Sequence, residues 1–254
     1  MSIGLKKGDR VAIIVGNIPE FFIIKLSLNY NGFSCVPLNF ELNIDELQYI
    51  IRHSESKLII CSTLYSKKIK KLLNNTNKFG LSLFKNNELH TLIPIKNKKN
   101  SDYSKLYKSD EASLIYTSGT TGKPKACILS HFYEINAGYS YAIQKGYISL
   151  RKRKERIYNC LPVHHVNSGI LSFYAVLLTG NCQIQSKRFS ATNFWKEIKY
   201  SRVTIFHYLG VMVSILLKQD TSNFVKSKYL RCGVGAGIEP SFHKAFESKF
   251  KIPM

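Results

Sequence analysis

The chain has 254 residues, of which 44% are hydrophobic and 21% charged, enough apolar mass to pack a core and too much for a disordered polyelectrolyte. Lys and Arg number 37 against 16 Asp and Glu, a formal net charge of +21. The cations lie in scattered clusters (Lys67–Lys71, Lys96–Lys99, Arg151–Arg156) without a stripe interleaved with aromatics, which argues for a solvated surface and against a nucleic-acid partner.

The longest apolar run, Val203–Leu217, has 15 residues and contains His207 and Gly210, so it reads as strand plus helix and not as a membrane span. Met1–Arg10 lacks the apolar stretch of a signal peptide. The six cysteines are never closer than 22 residues, which offers neither a metal-ligand pair nor a redox motif; no metal site and a reducing, cytoplasmic compartment are expected.

In chain order, Val11–Val15 predicts a strand and Glu20–Tyr30 a helix, opened after Pro19 and stopped by Asn31-Gly32. A short strand near Ser34–Pro37 follows. Asn43 with Glu46 three residues on is a capping signal, and it opens an amphipathic helix through Ile51. Lys57–Cys61 predicts the next strand and Ser66–Leu73 a basic helix. From about Lys85 to Asp110 the pattern weakens to a surface connection with one strand at Thr91–Ile95.

Regular structure resumes with a strand at Ser113–Thr117, a polar loop, and a helix from Ser130. Later strands are expected at Ile157–Leu161, Gln183–Gln185, Val203–His207 and Leu230–Gly233, with helices centred on residues 170–178, 191–200, 210–218 and 239–248. This alternation predicts an α/β fold of parallel sheets flanked by helices, organised as a subdomain 1–84, a connection 85–110 and a subdomain 111–254.

The sharpest local feature is Thr117-Ser118-Gly119-Thr120-Thr121-Gly122-Lys123-Pro124-Lys125. Its glycines let successive N–H groups converge on an anion, its hydroxyls add donors, and Lys125 (with Lys123 beside it) supplies positive charge. It is not a Walker loop, which needs four residues between its glycines and Lys-Ser/Thr directly after the second. Without further context, such a segment is a polar turn between strand and helix.

The nine-residue segment resembles the phosphate loop of the adenylate-forming superfamily, which includes acyl-CoA synthetases, luciferases and peptide-synthetase adenylation domains. Ala126 stands where that family usually has Gly, a change that an extended backbone tolerates. Leu161-Pro-Val-His-His165-Val-Asn167 resembles the family's Leu-Pro-x-Phe-His motif, so His165 and Asn167 are expected beside the acyl pocket, while His164 replaces an aromatic and is read as structural. Gly233-Val-Gly235-Ala236-Gly237 resembles the glycine segment that runs along adenine and acyl group, and it also reads as a tight strand-to-helix turn. Gly210 is placed at the same pocket. Lys7–Phe21 resembles the family's opening strand and helix, and Phe194–Met212 is most similar to carnitine/crotonobetaine-type and related fatty-acid CoA ligases.

The resemblance covers essentially the whole chain and implies part of the N-terminal domain of an AMP-forming acid–CoA ligase. ATP, a carboxylic acid and CoA are the implied substrates, with Mg²⁺ as cofactor. It also implies that the Tyr-Gly-x-Thr-Glu segment, the ribose-binding Asp, a β-barrel subdomain and a mobile C-terminal domain with the catalytic Lys fall outside these residues. No catalytic residue is therefore assigned. A fragment, a truncated product and one piece of a split protein (with a separate chain supplying the C-terminal half) all stay open. So does a nucleotide-binding module without turnover.

Overall fold

The computed structural model describes residues 5–73, 80–85, 88–93, 105–117, 122–220, 224 and 226–254. The chain divides into two compact units, Met1–Glu134 and Ile135–Met254.

The first unit is built on a seven-stranded sheet in the order β5-β4-β3-β1-β2-β6-β7. β1 (Arg10–Ile14) runs parallel to β2 (Ser34–Pro37) and β3 (Leu58–Ser62), and all of Val11–Ile14 are buried, as a central parallel strand requires. β4 (Gly80–Lys85) continues the parallel set beside β3, and β6 (Glu111–Thr117) does so beside β2. Both outermost strands are antiparallel: β5 (Glu88–Ile93) against β4, and β7 (Lys125–Ser130) against β6.

Three helices cross over: α1 (Glu20–Tyr30), α2 (Ile44–His53) and α3 (Ser66–Leu73). The capping signal at α2 closes in both directions, with Asn43 Oδ1 accepting from the Glu46 amide and Glu46 Oε2 from the Asn43 amide, each at 2.9 Å. Leu47, Ile50 and Ile51 then face a core that contains Ala12, Ile14, Val36, Ile59 and Cys61. Lys25 of α1 is 2% exposed and places its ammonium 2.8 Å from Glu134, which is fully buried. Ser113 of β6 donates to the same carboxylate oxygen. Two buried charges survive here because each meets its partner at bonding distance.

The second unit holds a four-stranded, all-parallel sheet in the order β11-β10-β8-β9. Its strands are β8 (Arg156–Asn159), β9 (Cys182–Gln185), β10 (Ile205–Leu209) and β11 (Cys232–Ala236). α4 (His131–Ala142) enters this unit, and Gly138 is required there: a Cβ at that position would lie 2.3 Å from the Cβ of Tyr174. A π-helical turn, Asn167–Ser172, leads into α5 (Phe173–Thr179), which Gly180 ends in the left-handed conformation. α6 (Phe194–Tyr200), α7 (Gly210–Leu217) and α8 (Pro240–Phe250) complete the unit around Phe194, Phe206, Phe246 and Phe250.

Mixed α/β architecture with parallel sheets and flanking helices is thus as expected, and three details differ. Lys125–Ser130 is a strand and the following helix starts at His131. Lys-Ala-Cys-Ile-Leu-Ser lacks apolar alternation, and the β6 ladder holds it as an outer strand. Strand β4 was not foreseen, and β5 begins three residues before the expected Thr91. The units also part at Glu134/Ile135, not in 85–110, because β6 pairs with β2 through Cys35 and Ser113 and so keeps 111–130 with the first sheet.

Candidate functional site

Thr117 and Lys125 are cross-strand partners at the open end of the β6–β7 ladder, and the Thr117 hydroxyl donates to the Lys125 carbonyl at 3.5 Å. The Ser/Gly/Thr segment therefore connects two antiparallel strands, not a strand and a helix. Ser118, Gly119, Thr120 and Thr121 lie outside the described residues. Gly122 has φ of +138°, a conformation side chains avoid, and a Cβ there would meet nothing within 4 Å, so backbone shape demands the glycine.

α2 supports the far side of this connection. The Lys123 ammonium lies 5.3 Å over the Tyr49 ring, and the Tyr49 hydroxyl donates to the Pro124 carbonyl at 3.5 Å. His53 Nδ1 and the Tyr116 hydroxyl are 2.7 Å apart, and burial pushes the Tyr116 phenol up to about 12, so it stays protonated. Ala126 pairs with Tyr116 in extended strand, and its methyl packs on the core beneath α2. Thr117, Gly122 and Lys125 are exposed.

In the second unit the remaining predicted residues gather at the C-terminal ends of β8, β10 and β11, the side of a parallel sheet where ligands bind. His165 is exposed on the turn after β8, its ring 4.6 Å from that of His164. Partial desolvation lowers both imidazoles, and repulsion between the two rings when protonated helps hold His164 at about 4, so His164 is neutral at physiological pH. Asn167 opens the π-helical turn. Its Oδ1 accepts from Asn159 Nδ2 at 3.0 Å and bonds His207 Nδ1 at 2.8 Å. An amide oxygen only accepts, so His207 carries its proton on Nδ1. Nε2 is then free to accept from the Tyr141 hydroxyl 3.1 Å away. Complete burial holds His207 at about 4, which agrees with this neutral tautomer.

The glycines form a second contact. A Cβ at Gly210 would lie 1.7 Å from the Gly237 carbonyl oxygen, and one at Gly235 would lie 2.3 Å from that of Tyr208. Gly235 and Ala236 pair in register with Tyr208 and Leu209, and Gly237 turns the chain away with φ of +70°. Gly235, Ala236 and Gly237 present exposed backbone. The loop residues 117, 122 and 125 belong to the first unit, whereas His165, Asn167, Gly210 and 235–237 belong to the second.

Sequence reasoning missed Asn159, His207 and Tyr141. A signal existed: His207 is a polar residue inside an otherwise apolar strand and Asn159 follows directly on the buried Ile157 and Tyr158, and a buried polar group must find partners.

Exposed glycine backbone at the C-terminal ends of parallel strands in one unit, and a Ser/Thr/Gly/Lys connection between two antiparallel strands in the other, define the class as an α/β protein of parallel sheets flanked by helices. The AMP-binding enzyme family model matches residues 1–254, and the chain belongs to that family. It is 28% identical over 254 residues to the very long-chain fatty acid transport protein of Cochliobolus heterostrophus, which covers 97% of this chain and 38% of that protein. It is 27% identical over 240 residues to the crotonobetaine/carnitine–CoA ligase of Proteus mirabilis (strain HI4320), 90% of this chain and 45% of the relative. The chain thus spans less than half the length of these curated relatives. Its fold is shared with the inhibitor-bound N-terminal domain of FACL13 from Mycobacterium tuberculosis: TM-score 0.80 and 22% identity, over 98% of this chain and 62% of that one.

Proposed function

We propose that this chain carries the nucleotide- and acid-binding part of an AMP-forming acyl-CoA ligase. The observation behind this reading is the loop 117–125, set on an antiparallel strand pair in a chain that matches the AMP-binding enzyme family throughout. In the proposed reaction a carboxylate oxygen attacks the α-phosphorus of ATP, pyrophosphate leaves, and acyl-AMP forms. The sulfur of CoA then attacks the acyl carbon, AMP leaves, and the thiol proton passes to solvent.

The first step builds negative charge on the departing pyrophosphate. Thr117, Ser118, Thr120 and Thr121 would donate hydroxyls, Gly119 and Gly122 backbone N–H groups, and Lys125 its ammonium. Pre-oriented donors favour the charge as it develops because they need no reorganisation. The exposed backbone of Gly235, Ala236 and Gly237 would lie flat along adenine and the acyl group, since no Cβ intervenes at either glycine. His165 and Asn167 would border the acid, with Asn167 held by Asn159 and His207.

We read the acid as a fatty acid or a carnitine-like acid, and the compartment as cytoplasmic. Among the described residues no helix is long and apolar enough to cross a membrane. Mg²⁺ is the usual companion of ATP, but no three His, Cys, Asp or Glu side chains among the described residues come together as a metal site, so no step is routed through it. Residues the resemblance assigns to ribose, Mg²⁺ and the thioester step would come from further polypeptide, in the same chain or a separate one.

Exchange of labelled pyrophosphate into ATP, run with a panel of acids, tests the reading. Acid-dependent exchange supports a ligase. ATP binding without exchange for any acid, once the remaining polypeptide is supplied, favours a nucleotide-binding module without turnover.

A further inference from the structure

Between Ile135 and Lys196 the sequence has nine Lys and Arg and one carboxylate, Glu155. The fold turns that carboxylate inward. Its side chain is fully buried, and Oε1 meets Arg151 Nε at 2.5 Å and Arg231 Nη1 at 2.8 Å. Around it Lys145, Lys152, Arg153, Lys154 and Arg156 are exposed, so this surface presents cations with no exposed carboxylate from the same stretch.

Apolar side chains stand at the same place. The Arg153 amide donates to the Thr179 carbonyl at the end of α5, and the Arg153 Cγ would lie 3.2 Å from a Cβ at Gly180. The last turn of α5 thus adjoins the basic turn, and there Leu177 is 51% exposed and Leu178 46%. Tyr147, 70% exposed, is tied in through its carbonyl, which accepts from Arg231 Nη2 at 2.8 Å.

We propose that the turn 145–156 and the C-terminal end of α5 form a docking surface for an anionic lipid membrane. Charge complementarity selects the partner: phosphate-bearing headgroups attract the exposed cations, and the leucines and tyrosine reach the boundary between headgroups and acyl chains. Nucleic acid would match the charge but not the leucines, because its sites pair cations with aromatic stacking platforms. The surface lies within one compact unit and uses none of the residues assigned to nucleotide or acid.

The test is co-sedimentation of the 254-residue chain with phosphatidylcholine vesicles, with and without phosphatidylserine. Each Lys or Arg near an anionic surface contributes about 1 kcal/mol, so K152E/K154E should lower partitioning at least tenfold. L177S/L178S should lower it comparably, with L178Q in its place if the double variant loses the native melting transition. K67E/K71E on α3, an equal charge change elsewhere, should leave binding intact. Binding that ignores phosphatidylserine, equal losses in the α3 variant, or unchanged binding with the leucines replaced would each overturn the proposal. So would a DNA duplex retained as tightly as the vesicles by both the wild-type and leucine-substituted chains.

Discussion

Gly210 and Gly237 meet backbone to backbone: the position of a Cβ on Gly210 is 1.7 Å from the Gly237 carbonyl oxygen and 2.9 Å from the Ile238 Cα. Contact that close leaves no room for any side chain at 210. Gly210→Ala should force the 237–238 backbone outward and destabilise the second unit by about 1–3 kcal/mol, the usual range for overpacking. Urea melting followed by the fluorescence of Trp195, the sole tryptophan, reads the change. A variant with an unshifted midpoint would mean that the segment gives way freely.

His207 makes stability depend on pH. Its folded value of about 4 lies below the ordinary 6.5, so between these values the unfolded chain binds more protons than the folded one. Stability is therefore complete above about pH 6.5 and falls as the pH drops toward 4, by roughly 3 kcal/mol for this group. His207→Gln keeps hydrogen-bonding capacity without a titrating proton and should flatten that slope. His164 titrates in the same window, so part of the slope should remain. Chemical denaturation across pH 4–7 gives both curves, and identical slopes would exclude the buried neutral imidazole.

The buried pair Lys25–Glu134 should behave asymmetrically. Lys25→Met strands the carboxylate and should cost about 3–5 kcal/mol, whereas adding Glu134→Leu should restore most of it, since the partner charge no longer needs compensation. A double-mutant cycle by urea denaturation measures the coupling. Simple additivity of the two single changes would contradict this account.

The proposed phosphate contacts predict a loss of ATP affinity. Thr120→Ala with Lys125→Ala should weaken binding by about 2–4 kcal/mol, taking hydrogen bonds to charged groups at roughly 1.5–3 kcal/mol each. Calorimetry with ATP is the measurement, and an unchanged Kd would remove loop 117–125 from the site.

Much of the fold was legible because its signals are local. Four successive buried residues at Val11–Ile14, the Asn43/Glu46 box and Pro19 ahead of α1 state strand and helix within a few positions. The nine-residue motif 117–125 likewise stands in one continuous stretch. By contrast, β7 exists through its pairing with β6, and nothing within Lys125–Ser130 announces that partner.

The amino-acid order by itself determined the α/β alternation, the polar glycine-rich connection and the family resemblance, all consequences of propensity, capping and short spacing. Only the tertiary structure decided that β6 and β7 close the first sheet, that Gly210 must be bare because Gly237 lies against it, and that Tyr141, His207, Asn167 and Asn159 form one hydrogen-bonded chain. These contacts join residues from 8 to 66 positions apart. Their energy comes from burial and exclusion of water, which exist only once the strands have assembled.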